Sequence, residues 1–120
     1  MPHSSIERFL SYLRYERNQS EHTVAAHELD LQQYVRYVEE VLGEEFVPSD
    51  GDRDLIRGFL SSLIEQGRKR SSVHRKLSSL KSYYRYLVKI GLLEQSPARL
   101  VRGPRGESPL PAVLSERSEE

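Results

Sequence analysis

Arg68-Lys69-Arg70-Ser71-Ser72-Val73-His74-Arg75-Lys76-Leu77-Ser78-Ser79-Leu80-Lys81-Ser82-Tyr83-Tyr84-Arg85-Tyr86-Leu87-Val88-Lys89 contains no proline, no glycine and no acid. Placed on a wheel at about 100° per residue with Leu80 at the origin, Val73, Leu77, Tyr84, Leu87 and Val88 fall within about 80° of it, one apolar face of a helix. The opposite side carries Ser71, Arg75, Ser78, Ser82 and Lys89, flanked by His74, Lys81 and Arg85. Ser71 is the expected N-cap, Gly91 the C-terminal stop, and Leu92 the residue that covers the last turn. Tyr83 and Tyr86 lie off the centre of the apolar face and are expected at its rim.

Three more helices precede this one. The first starts at Ser4, with Glu7 completing a capping box, and carries Ile6, Phe9, Leu10 and Leu13 at helical spacing as far as Arg17-Asn18. The second, the longest, starts at the N-cap Ser20 and stops at Gly43, with Val24, Leu31, Tyr34, Val35, Val38 and Leu42 as its stripe. A turn-rich loop with Pro48, Ser49, Asp50 and Gly51 leads to the third, from about Asp52 to Gly67, which holds Leu55, Ile56, Phe59, Leu60, Leu63 and Ile64. Ser96-Pro97 has the form of a cap and first position for a short fifth helical turn. From Gly103 to Pro111 the prolines and glycines exclude a helix and suit an extended linker. No strand-like alternation and no internal repeat occurs. The expected fold is all-α: a compact four-helix bundle over residues 1–102, with a short fifth helical turn and an extended C-terminal linker over 103–120.

The chain has 120 residues and no cysteine, enough for one domain and incompatible with disulfides or thiolate metal sites. No apolar run nears the ~20 residues that span a bilayer, and no signal-peptide pattern opens the chain. A soluble protein of the cytoplasm is expected. The formal net charge is zero, yet the charges are segregated. Residues 1–65 hold 6 Lys/Arg and 13 Asp/Glu, whereas residues 66–106 hold 11 Lys/Arg and the single acid Glu94. Local field, not net charge, steers a polyanion.

The outward face of the fourth helix has the chemistry of a groove-facing helix. Arg and Lys neutralise phosphates or reach guanine edges, while short serines let the axis approach and still hydrogen-bond. The candidate DNA contacts are Lys69, Arg70, Ser71, Ser72, His74, Arg75, Ser78, Lys81, Ser82 and Arg85, with Thr23 and His27 on the second helix. Each of these residues alone has a plainer explanation: a serine as a cap, a histidine as a structural group, a charge run as a solvated face. The basic face also suits a helical protein-interaction module that meets an acidic partner. No metal-ligand spacing, phosphate-binding glycine loop or catalytic triad is present, so neither enzymatic chemistry nor a cofactor is expected of this chain.

Several motifs add a resemblance. Phe9-Leu10-Ser11-Tyr12-Leu13, Glu16-Arg17 and Ser20-Glu21-His22-Thr23, then Asp30-Leu31 with Tyr34, then Arg75 to Tyr84, then Ser96-Pro97 and Leu110-Pro111 with Leu114, resemble the N-terminal core-binding (SAM-like) domain of bacterial tyrosine recombinases of the Xer family. Glu16-Arg17 leans toward the XerC-like branch. His27 and Ser96 depart from it, standing where the family usually has Tyr and Asn. The resemblance implies that the second and fourth helices cross the DNA major groove. It also implies a longer parent protein that carries the catalytic Arg/Lys/His set and nucleophilic Tyr in a C-terminal half and acts in chromosome dimer resolution or DNA integration. The implied partners are double-stranded DNA and, for the full-length assembly, other recombinase subunits; the isolated domain is expected to be a monomer with no membrane association.

Overall fold

The structure, a computed structural model, describes residues 4–103. The proposed linker beyond Gly103 therefore lies outside the described residues. Four helices run in order: α1 (Ser4–Ser11), α2 (Glu21–Leu42), α3 (Arg53–Glu65) and α4 (Arg70–Lys89). Among the described residues there is no strand.

The local signals explain most helix ends. Ser20 accepts the Thr23 N–H at 3.1 Å and starts α2, and Gly43 ends it in the left-handed region at φ 74°. Asp52 accepts the Leu55 N–H at 2.8 Å and starts α3. Helix α1 widens into a π-helical turn, Tyr12–Glu16, which Arg17 closes with an N–H bond to the Tyr12 carbonyl at 3.0 Å. The loop before α3 holds one 3₁₀ turn, Pro48–Asp50. Residues 97–100 form a single turn in which Ser96 Oγ accepts the Ala98 N–H at 3.2 Å, and Ala98 and Val101 are buried.

Two expected caps shift. Ser4 is already helical, so the cap expected there is not seen, and the start of α1 lies at the edge of the described residues. Ser71 is not the N-cap of α4: Lys69 holds that position without a side-chain cap, and Ser71 lies in the first turn. The connection after α3 is short, so α4 begins as soon as its backbone turns, with Val73 N–H bonding the Lys69 carbonyl at 3.1 Å.

Helix α4 is the central element, packing against α1, α2 and α3. That is why the wheel underestimates its buried arc. Tyr83 and Tyr86 are core residues, not rim residues: Tyr83 is fully buried with its hydroxyl 2.8 Å from Ser5 Oγ, and Tyr86 lies on Tyr12 at 4.8 Å between ring centroids. Conversely, Leu42, Ile64 and Leu92 are 40%, 46% and 48% exposed: Leu42 is the last residue of α2, Ile64 lies in the last turn of α3, and Leu92 follows the end of α4.

On the other side of α4, the buried Tyr34 and Tyr84 hydroxyls hydrogen-bond at 2.7 Å. Burial is the main reason that both phenols are held above their usual range. Gly51 packs directly on this pair. A Cβ there would overlap the Tyr84 hydroxyl and sit 2.7 Å from its Cζ and 3.1 Å from the Tyr34 hydroxyl. Gly51→Ala is therefore expected to destabilise the domain by about 1–3 kcal/mol through overpacking. Urea denaturation should show a lower midpoint with little change in slope; an unchanged midpoint would contradict the close approach.

Candidate nucleic-acid interface

The part of α4 left uncovered by the other helices is a strip. Ser71, His74, Arg75, Ser78, Arg85 and Lys89 are exposed on it, and Ser72, Lys81 and Ser82 are half-buried at its edges. Lys69 and Arg70 are exposed at its N-terminal end. Because no side chain caps that end, the first-turn N–H groups and the helix dipole favour an anion there. Lys81, Arg85 and Lys89 make no ion pair with any described residue. Glu21, at the start of α2, is instead paired with Arg14 at 2.8 Å.

The candidates do not all stand free. Thr23 is half-buried, and its hydroxyl accepts from Ser20 at 3.1 Å, within the α2 cap. His74 lies against the departing chain: a Cβ on Gly103 would be 2.5 Å from the imidazole. The last described residue thus lies beside the strip.

Asp30 organises the middle of the strip from beneath. Its carboxylate is 1% exposed and accepts three bonds from α4: Lys76 Nζ at 2.9 Å, the Ser79 hydroxyl at 2.8 Å and an Arg75 terminal nitrogen at 3.0 Å. Burial by itself would raise this carboxyl, but the bonds from Arg75, Lys76 and Ser79 and the Lys76 charge outweigh it and hold it below its usual value. Lys76, the one cation of α4 that turns inward, is consumed here at 3% exposure. Arg75 is not: its side chain is 54% exposed. A guanidinium has five N–H donors in a fixed fork, so one nitrogen on Asp30 orients the rest toward solvent.

His27 continues the same network, with Nδ1 2.8 Å from Ser79 Oγ. The ring stands edge-on to Phe9, at 6.0 Å between centroids. Burial is the main cause holding the imidazole below its usual value; Asp30 opposes this and Arg75 adds to it.

The fold also gathers cations that the helical wheel could not relate. Arg17, at the end of the π-helical turn, comes beside His27, Ser82, Arg85 and Lys89 around a cleft of about 170 Å³. Arg99, from the turn after α4, joins Lys81 and Arg85 with Glu94 around a wider hollow of about 460 Å³. Neither Arg17 nor Arg99 was a candidate from the sequence, because each belongs to a segment without helical continuity with α4. Among the described residues no group of three or more His, Cys, Asp or Glu could hold a metal, and no helix is long and apolar enough to cross a membrane.

Residues 6–91 match the family model described as phage integrase, N-terminal SAM-like domain. The chain is similar to the tyrosine recombinase XerC of Pelobacter propionicus, 40% identical over 109 residues, covering 91% of this chain and 36% of the relative. It is 37% identical over 115 residues to that of Chlorobaculum parvum, covering 92% and 34%, and 36% identical over 117 residues to that of Halalkalibacterium halodurans, covering 96% and 37%. The chain thus spans about a third of the length of the curated relatives it matches. No solved structure matches it.

Proposed function

The chain belongs to the family of phage integrase N-terminal SAM-like domains, and on that premise we propose that it is the duplex-DNA-binding module of a site-specific tyrosine recombinase. In this role α4 meets the DNA through Lys69, Arg70, Ser71, Ser72, His74, Arg75, Ser78, Lys81, Ser82 and Arg85, with Thr23 and His27 of α2 alongside. The observation that carries the proposal is the strip of α4 left open by the other helices, whose cations Lys81, Arg85 and Lys89 make no ion pair among the described residues, in a chain with as many acids as bases. Unpaired cations gathered on one face raise the local positive potential, and that potential attracts a polyanion.

Strand cleavage, in this proposal, belongs to residues outside this chain. The parent protein acts on paired sites in a multi-subunit assembly in the cytoplasm, in chromosome dimer resolution or DNA integration. The module alone is a monomer that binds duplex weakly and selects among sequences through base-edge contacts from the strip. Few phosphate contacts are available to one side of a clamp, so its affinity should fall steeply with salt.

The test removes cations that take no part in the Asp30 network. Lys81→Ala/Arg85→Ala is expected to weaken duplex binding by about tenfold per lost phosphate contact at about 0.1 M salt, and to reduce the slope of log affinity against log salt by about 2. Thermal denaturation should show the fold unchanged. Unchanged affinity and slope would refute the proposed face, and equal binding to a polyglutamate chain would favour a protein-interaction surface instead.

A further inference from the structure

We propose that the cleft between the end of the π-helical turn, the start of α2 and the last turns of α4 is a binding site for a single backbone phosphodiester, with His27 as its proton-gated donor. This rests on the DNA-binding function above and assigns one phosphate subsite within it.

The lining has the composition of an oxyanion site. Arg17, Arg85 and Lys89 bring three cations, Gln19 an amide and Ser82 a hydroxyl, and no acidic residue lines the cleft. Its volume of about 170 Å³ suits a small anion, and Phe9 and Tyr86 supply an apolar wall that limits hydration.

The role of His27 follows from the hydrogen-bond chain behind it. A carboxylate only accepts, so the Ser79 hydroxyl spends its one proton on Asp30, at 2.8 Å. Ser79 Oγ can then only accept from His27 Nδ1, also at 2.8 Å, which puts the ring proton on Nδ1. The neutral ring therefore presents Nε2 as a lone pair, and Nε2 makes no hydrogen bond to any described residue. A lone pair repels a phosphate oxygen. Proton uptake at Nε2 converts it into a charged donor, and the anchored Nδ1 prevents the ring from donating through Nε2 by a change of tautomer.

The surrounding charges make this gate respond to the ligand. Facing the ring or its cleft are Arg17 and Tyr12 from the segment after α1, Asp30 on α2, and Arg75, Arg85, Lys89 and Tyr86 on α4. In the free protein, burial and Arg75 oppose protonation, and Asp30 only partly offsets them, so the ring is neutral at neutral pH. A bound phosphodiester adds a negative charge on the cationic side and raises the proton affinity of the ring. By linkage, binding then takes up a proton and strengthens as pH falls through the histidine range.

The experiment compares the 120-residue chain with His27→Gln at about pH 8 and about pH 5.5 at constant salt. Binding of a duplex is followed by titration, and inorganic phosphate serves as the minimal probe. Gln retains an amide that can donate to Ser79, and the other histidines remain in both proteins, so the difference between the two pH ratios isolates His27. The wild-type gain on acidification should exceed that of the variant by about tenfold, the scale of one charge-assisted hydrogen bond. Imidazole ¹⁵N NMR of the unaltered protein should show the Nδ1–H tautomer and a rise in the His27 pKa on adding phosphate, readouts that need no variant to fold. Equal pH ratios in both proteins, an Nε2–H tautomer, or a His27 that ignores phosphate would overturn the subsite while leaving duplex binding intact. Phosphate-linked protonation of His27 without any duplex binding would refute the DNA-binding function and, with it, the backbone phosphodiester as occupant of the cleft.

Discussion

Asp30→Ala is expected to destabilise the domain by about 3–5 kcal/mol, because it breaks a buried ion pair by removing one partner. The loss is larger than that of three hydrogen bonds between neutral groups. Lys76 Nζ, at 3% side-chain exposure, would remain charged and desolvated with no carboxylate beside it. Ser79 would lose the acceptor for its proton, and with it the order of the His27 ring. Urea denaturation checks the magnitude, and a loss below about 1 kcal/mol would show that the pair is more hydrated than its burial indicates. Asp30→Ala/Lys76→Met supplies the control: it removes both charges, so most of the lost stability should return even though all the hydrogen bonds are gone. Duplex affinity should not return with it, because Arg75 is then no longer held.

The same residue sets a pH dependence. The folded-state value of Asp30 lies below its unfolded value, so the folded protein binds fewer protons and stability rises with pH across the carboxylate range. The contribution is complete above about pH 4 and disappears as pH falls through the folded-state value. Acid therefore acts on the wild type as the substitution does, and Asp30→Ala/Lys76→Met should lose less stability between about pH 5 and about pH 2 than the wild type does.

Phe9→Ala is expected to cost about 3–5 kcal/mol, the usual range for deleting a buried aromatic side chain. Phe9 is fully buried and joins three elements: it lies edge-on to His27 of α2 at 6.0 Å and to Tyr83 at 5.7 Å, and tilted on Tyr86 at 5.6 Å. The cavity would open beneath the cleft that holds Arg17, His27 and Arg85. Near-ultraviolet circular dichroism of the tyrosines and the denaturation midpoint should both change. Phe9→Leu, which keeps most of the volume, should lose less than about half as much. Similar losses for the two variants would mean that the aromatic contacts, not the filled volume, hold α1 in place.

The strip and its support differ in how far they could be read in advance. Arg75, Ser78 and Arg85 were legible as an outward face because they alternate with Leu77, Leu80 and Tyr84 at helical spacing, and all three are exposed. Lys76 is a cation beside Arg75 in the chain, and nothing local distinguishes it from its neighbour. Only Asp30, 46 residues away, turns one inward and leaves the other half out. Tyr83 and Tyr86 carry polar atoms and sit at the edge of the apolar arc, so they read as rim residues until α1 closes over them. Arg17 and Arg99 had no visible relation to the strip because loops separate them from it.

What the sequence determined alone is the set of helices, most of their ends, the segregation of charge and the family. Each of these depends on residues a few positions apart, as Ser20 with Thr23 or Asp52 with Leu55, or on composition along one segment. What the tertiary structure decided is which side chains of α4 are consumed inside and which remain for a partner. That choice depends on three helices packed around one, through contacts such as Ser5 with Tyr83 or His27 with Ser79 that join residues 78 and 52 positions apart. No local periodicity encodes such pairs, because burial of a given arc is a property of the neighbours that cover it.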